Sequence, residues 1–271
     1  MIRSAVTIAL VPEIKTGPWI FWNDLESSMA KASELGFDAI ELFTASADAI
    51  DPQQLGDLLS RYRLKLAAVG TGAGKVIHGL TLTDPDPEIR RQAAAFIADM
   101  IEFGAEFGAP AIIGSMQGNV LAQGTAEQSL RWLAEGLEEL GEKALSKDVF
   151  LIYEPLNRYE TNLLNTIPAA SKFIDGLQTK GIKVLADLFH MNIEEADVAK
   201  AIQDHGEHIG HVHFADSNRQ PIGFGHTLIG SVAEALKEIE YKGYVSAEAF
   251  PWPDPDAAAA QTIRAFREHF R

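Results

Sequence analysis

Short runs of apolar and β-branched residues alternate with longer stretches whose apolar positions recur every three to four residues, and the alternation runs the length of the chain. The short runs are AVTIAL (5–10), DAIELF (38–43), KLAAVG (65–70), PAIIGS (110–115), VFLIYE (149–154), IKVLAD (182–187), HIGHVHF (208–214) and YVSAEAF (244–250). Runs of that length and composition read as strands. Between them, residues 24–37, 87–108, 126–145, 167–177, 197–206, 231–243 and 256–270 carry the helical period. Eight strands with helices between them predict an α/β fold, a (β/α)8 TIM barrel. A doubly wound open sheet is the competing layout, but it announces itself with a Gly-rich dinucleotide turn after the first strand. Here that turn reads VPEIKTGPW (11–19). Length agrees with the barrel, since 271 residues is close to the ~250 that such a barrel occupies as one domain. The Pro-rich segments, DPDPE from Asp84 and PWPDPD from Pro251, are short and precede helical patterns, as loops do. Residues 1–271 are therefore expected to form a single barrel domain.

Four of the strand-like runs in the second half finish on residues that bind divalent metals: Glu154, Asp187, His213 and Glu248. Their separations of 33, 26 and 35 residues each match a strand, loop and helix, so successive strands deliver one ligand apiece to the same rim. In this fold the active site lies at the C-terminal strand ends. Three carboxylates and an imidazole form a hard set that suits Mg²⁺, Mn²⁺ or Co²⁺ better than sulfur-rich structural zinc sites do. Alternation along the strands points Phe150 and Ile152 inward below Glu154, and His211 inward below His213. His211 is thereby expected in a second barrel layer rather than as a fifth ligand.

Charge narrows the class of partner. With 23 Lys and Arg against 38 Asp and Glu, the net charge is −15, which repels phosphate backbones and anionic membranes. Nucleic acid and membrane are not expected partners. No run approaches a membrane span, and the segment before Pro12 is too short in apolar residues for a signal peptide. The chain has no cysteine, which excludes disulfides and thiol chemistry. The expected location is the cytoplasm.

The strings around the four strand ends are distinctive: YEPLNRYET (153–161), DLFHMNIEE (187–195), HVHFADSNRQPIGFGH (211–226) and AEAF (247–250). In its EPLNR, D-x-x-HMN and H-x-x-x-SNR motifs the chain resembles the xylose-isomerase-like TIM barrels, and within them the D-tagatose 3-epimerase group of ketose epimerases. The resemblance covers essentially the whole chain. GTG at Gly70 to Gly72 and the later DPEIR also resemble the branch that acts on keto-acid sugars such as 5-keto-L-gluconate.

The resemblance implies a metal-dependent epimerase acting on a small-molecule sugar, with Glu154, Asp187, His213 and Glu248 as metal ligands. It assigns substrate contacts to Glu160, His190 and Arg219, and implies a homodimer or homotetramer. The chemistry agrees with the residue types. One divalent ion, Mn²⁺, Co²⁺ or Mg²⁺, stabilises the cis-enediolate formed when a proton leaves the carbon beside a ketone. Inversion at C3 then needs a base on each face, and Glu154 and Glu248 are expected to be those two catalytic groups. His190, three residues after Asp187 in what reads as a loop, and the planar fork of Arg219 suit sugar oxygens, with Glu160 orienting one of them. Lys75, Arg158 and Arg219 are candidate partners for a substrate carboxylate.

An aldose–ketose or hydroxypyruvate isomerase would use the same metal and carboxylates, and the sequence does not separate it from the epimerase. An apurinic-site endonuclease resembles this fold, but it would need more metal-binding histidines and a cationic face, whereas this chain has 8 His. A non-catalytic sugar-binding role would not require both Glu154 and Glu248. GTGAGKV (70–76) imitates a phosphate loop, but only three residues separate Gly70 from the GK pair, Val76 replaces the Ser or Thr, and no helix is expected there. The aromatic cluster PWIFW (18–22) reads as a cap on the sugar, a subunit contact or ordinary loop packing.

Overall fold

In the computed structural model, which describes residues 1–121 and 124–271, eight parallel strands close into a barrel inside a ring of helices. The order is β1 (Arg3–Leu10), β2 (Phe21–Trp22), α1 (Leu25–Leu35), β3 (Ala39–Thr44), α2 (Pro52–Tyr62), β4 (Lys65–Gly70), α3 (Ala73–His78), α4 (Pro87–Ala105), β5 (Ala111–Ile113) and α5 (Ala126–Leu145). There follow β6 (Leu151–Tyr153), α6 (Ile167–Asp175), β7 (Ile182–Asp187), α7 (Leu188–Glu194), α8 (Val198–Asp204), β8 (Ile209–His213), α9 (Ile229–Glu238), β9 (Tyr244–Ala247) and α10 (Pro255–Phe270). Because β1 is hydrogen-bonded to both β3 and β9, the sheet has no free edge in the barrel. All eight expected strands are present. The two-residue β2 is an addition that pairs only with β1, at Ile8↔Phe21.

Several helices start on carboxylate or hydroxyl caps. Asp24, Asp86 and Asp254, and the hydroxyls of Thr125 and Thr166, each accept a hydrogen bond from a first-turn N–H. Three helices fall outside the expected set. α2 is nucleated by the Asp51 cap and Pro52. α3 arises in the glycine-rich segment where no helix was expected, and α7 converts the expected loop around His190 into helix. Each of these two begins within three residues of the end of its strand, which leaves no loop to separate the two periods.

Alternation along the strands sorts the core. Outward residues such as Val6, Leu42, Val69, Tyr153, Val184 and Val212 pack against the helices. Inward, Ile152 meets Ala68, Ile112 and Leu185, with Phe150 packed on them, and Ala5, Ala39 and Ala67 form a second, smaller cluster. The barrel is thus plugged below the rim. No helix among the described residues is long and apolar enough to cross a membrane.

Candidate active site

Four consecutive barrel strands, β6 to β9, bring the four expected ligands to one point. Asp187 ends β7 opposite His213, which ends β8, and the two are paired in register. Glu154 and Glu248 lie one residue past β6 and β9. His213 Nδ1 stands 3.1 Å from Asp187 Oδ2, 3.3 Å from Glu154 Oε1 and 3.6 Å from Glu248 Oε2. All four donor atoms lie within 4.8 Å of one another. Ligands about 2.1–2.2 Å from a common ion stand about 3.0–3.6 Å apart at octahedral or tetrahedral angles, so the set fits a divalent cation. Among the described residues, Glu154 Oε1 and His190 Nε2 are buried without a hydrogen-bond partner, as expected of groups that face a ligand.

The local sequence explains how two of the candidate ligands are held. Asp187 is the last residue of β7 and the N-cap of α7: its Oδ1 accepts from the N–H groups of Phe189 (2.7 Å) and His190 (3.1 Å), leaving Oδ2 to face His213. Glu154 is fixed through its backbone, since Gln117 Nε2 donates to the carbonyls of both Gly114 and Glu154 at 2.9 Å. Gly114 supplies the space. A Cβ there would lie 2.4 Å from Glu154 Oε2.

His190 is buried on α7, with Nε2 4.0 Å from Glu154 Oε1 and 3.9 Å from Asp187 Oδ2. Its Nδ1 accepts from the Asn157 side-chain amide at 2.7 Å, so Nε2 carries the proton and presents it between two of the ligands. The same amide donates to Glu160 Oε1 at 3.0 Å, which places Glu160 3.9 Å from His190 Nδ1. Arg219 lies across the site, its Nη2 donating to Glu248 Oε2 at 2.8 Å and its Nη1 3.4 Å from Glu160 Oε1. The guanidinium stacks 4.8 Å from the centre of the Phe189 ring, a favourable cation–π arrangement.

Arg219 adopts a left-handed backbone conformation, φ 60°, and the buried Asp216 holds the loop that carries it. Asp216 accepts from the N–H groups of Ser217 (2.8 Å), Gly223 (2.7 Å) and Thr227 (2.9 Å). The Arg219 N–H itself donates to the Asp216 carbonyl at 2.7 Å.

Burial and neighbouring charge set the ionisation of these groups. Burial pushes the Glu248 carboxyl up to about 7, the Glu154 and Asp187 carboxylates adding to the effect and His213 and Arg219 opposing it. Burial would raise Asp187 as well, but the adjoining His190 and His213 imidazoles hold it well below the usual range. Burial disfavours charge on His213, yet Glu248, Glu41, Asp187 and Glu154 together raise it well above 6.5. The Arg219 guanidinium is stabilised by Glu248, Asp187 and Glu160 against the cost of its burial.

A cavity of about 190 Å³ opens over the cluster. Its floor is Glu154, Glu248, His213 and Arg219, and its wall includes Trp19, Phe43, Ile112 and Leu156. Trp19 lies against Phe43 with ring centroids 4.3 Å apart, and Trp22 meets Trp19 edge-on. The aromatic cluster therefore contributes Trp19 to the wall. Of the candidate carboxylate partners, Arg219 reaches the cavity, whereas Arg158 forms a forked pair with Glu194 at 2.9 and 2.8 Å, with its side chain largely exposed. Lys75 is half-buried on α3, where burial lowers its pKa against an attraction from Glu160.

Sequence reasoning missed Gln117, Asn157, Asp216 and, most consequentially, Glu41. Glu41 is buried in the middle of β3 and accepts from His211 Nε2 at 2.7 Å and from His213 Nε2 at 3.1 Å. Burial alone would raise its pKa, but the two imidazoles hold it well below the carboxylate range. His211 sits one layer below His213, as alternation implied, paired with Leu185. A mid-strand glutamate was the available signal, since a charge on an inward position requires a partner.

The model of the xylose isomerase-like TIM barrel family matches residues 29–269. The chain is 30% identical over 260 residues to a probable ketose 3-epimerase of Synechocystis sp., covering 91% of this chain and 88% of that protein. It is 32% identical over 240 residues to a D-psicose 3-epimerase of Enterocloster bolteae, covering 85% and 78%. The solved structure of an L-ribulose 3-epimerase superposes with a TM-score of 0.84 at 25% identity, over 99% of this chain and 94% of that one.

Proposed function

Because the chain belongs to the xylose isomerase-like TIM barrel family, with curated relatives named as ketose 3-epimerases, we propose that it is a divalent-metal-dependent epimerase. It inverts C3 of a free ketose or keto-acid sugar by removing a proton from one face and returning one to the other. The observation that carries this reading is the placement of Glu154 and Glu248. Both approach a single nitrogen, His213 Nδ1, at 3.3 and 3.6 Å, from strands three steps apart around an eight-strand ring.

Glu154, Asp187, His213 and Glu248 would hold the ion, and we take Mn²⁺, Co²⁺ or Mg²⁺ as the candidates. Bound there, it polarises the ketone and acidifies the neighbouring C–H. Glu154 and Glu248 then act as the two bases, exchanging roles between the forward and reverse directions. His190 offers its Nε2 proton to a sugar oxygen near the carbonyl. Arg219 keeps Glu248 oriented through the 2.8 Å contact and presents its unpartnered Nε, buried within the site. Trp19 and Phe43 shield the reacting carbon from bulk water. The small cavity suits a monosaccharide rather than a polymer. From chain length and the lack of a linker we read residues 1–271 as one domain and take the cytoplasm as the expected location, and on the family resemblance we read a homodimer or homotetramer, to be checked by fractionation and by light scattering.

The test is proton NMR of a panel of ketoses and ketouronates incubated in D₂O with chelator-treated protein, then with protein loaded with Mg²⁺ or Co²⁺. Deuterium at C3 with appearance of the C3 epimer is the expected result. Deuterium at C1 or C2 would identify an aldose–ketose isomerase instead, and no exchange across the panel would reject the assignment.

A further inference from the structure

Below the ligand ring, Glu41, His211 and His213 form a second buried cluster whose donor atoms also lie within 4.8 Å of one another. Two chemistries fit such a set: a further cation, or a hydrogen-bonded support for the ring above. The distances decide between them. Glu41 Oε2 and His211 Nε2 are 2.7 Å apart, short of the about 3.0–3.6 Å that separates ligands of one ion at octahedral or tetrahedral angles. The pair is at hydrogen-bond distance, with no room for an ion between. Satisfaction agrees: among the described residues the buried atoms without a partner include Glu154 Oε1 and His190 Nε2 in the upper site and none from Glu41 or His211, although Ser246 Oγ, on the β9 residue paired with His213, is also without one.

Glu41 reaches β8 across β1 and β9, where the paired residues Ala5 and Ser246 are small. Each carboxylate oxygen takes one imidazole: Oε2 accepts from His211 and Oε1 from His213. We propose that Glu41 is a positioning residue for the metal centre, holding His213 with the proton on Nε2 so that Nδ1 is free to ligate the ion. The proposal rests on reading the upper cluster as a metal site. An anionic acceptor is what the arrangement requires. A ring that loses its acceptor at Nε2 is free to move its proton to Nδ1, and Nδ1–H cannot coordinate. His211, bonded to the other oxygen, prevents the carboxylate from turning away.

Glu41→Gln tests this with little change of shape. The amide offers one acceptor and one donor, so both imidazoles cannot be served as before. Full-length protein, stripped with chelator, is titrated calorimetrically with Co²⁺, with circular dichroism and thermal melting recorded for each variant. Wild type is expected to bind one ion per chain and Glu41→Gln to bind it 10- to 100-fold more weakly with its melting transition retained. A second readout needs no variant: long-range ¹H–¹⁵N spectra of the Mg²⁺-loaded wild type should show His213 protonated at Nε2 and unprotonated at Nδ1.

Affinity within threefold of wild type in a folded Glu41→Gln protein would overturn the proposal, as would a proton on His213 Nδ1. Two ions per wild-type chain, with one lost in Glu41→Gln, would make Glu41 a ligand and overturn it differently. Failure of wild type to bind any divalent ion would reject the metal-site reading itself, and this inference with it.

Discussion

On the two-base proposal, Glu248→Gln separates the role of Glu248 from that of Glu154. The substitution preserves side-chain length and leaves an amide oxygen to accept from Arg219 at the position now occupied by Oε2, 2.8 Å away. It removes one of the three carboxylates around His213 Nδ1 and, on that proposal, the base for one face. Losing a positioned base costs about 10²–10⁴ in rate. A lost ligand weakens metal binding as well, so turnover is measured at saturating Co²⁺ to isolate the first effect. We expect kcat to fall about 10³-fold, equivalent to about 4 kcal/mol of barrier. The melting temperature should move by no more than a few degrees, because Glu248 lies past the end of β9, outside the apolar clusters that fill the barrel. Deuterium exchange gives a sharper readout than turnover. Glu154, left alone, still removes and returns a proton on its own face. One C3 epimer should therefore incorporate deuterium with retention, while the other does not exchange. Turnover within tenfold of wild type at saturating metal, or equal exchange into both epimers, would refute the two-base reasoning.

Gly114→Ala places a methyl 2.4 Å from Glu154 Oε2 and should displace that carboxylate, lowering metal affinity and kcat at least tenfold with the fold retained, as read by calorimetry and initial rates. Arg158→Ala should leave KM within twofold for neutral and acidic sugars alike, since Arg158 is committed to Glu194; a selective rise in KM for acids would show that it reaches substrate. Asp216→Asn should destabilise the protein by about 2 kcal/mol at neutral pH through weaker charge-assisted bonds to the loop N–H groups, measured by urea unfolding. Its sign with pH is fixed: burial would raise the Asp216 carboxyl, but the N–H donors of Thr227, Gly225, Ser217 and Gly223 hold it below 3.8. The contribution is therefore fully present above the unfolded value and is lost as pH falls through the folded one. The difference between wild type and Asp216→Asn should accordingly be constant above about pH 5 and shrink in acid.

The barrel and the gathering of Glu154, Asp187, His213 and Glu248 were legible because both follow from short-range rules. Strand ends in a parallel barrel share one rim, and the chain repeats a metal-binding residue at each of four such ends. What escaped depends on reach across the ring. Glu41 sits within AIELF (39–43), where nothing in its own neighbourhood reveals that His211 and His213, 170 and 172 residues away, supply its partners. His190 was expected in a loop because α7 is only seven residues long and starts on a strand residue. α3 escaped for a similar reason, its six residues being flanked by Gly72 and Gly79. Asn157 and Gln117 act through single side-chain amides, which carry no periodic signature.

The divided carboxylate of Asp187 ties the reaction to the architecture. One oxygen starts a helix and the other faces His213, so a substitution at Asp187 alters both contacts at once. Asn could still start α7 but would abandon the anionic ligand. Glu would keep the charge but would be one methylene too long to cap and ligate together. A lineage departing from this chemistry would have to rebuild the turn that carries His190 at the same time. The start of α7 and the candidate ligand position are in that sense one unit.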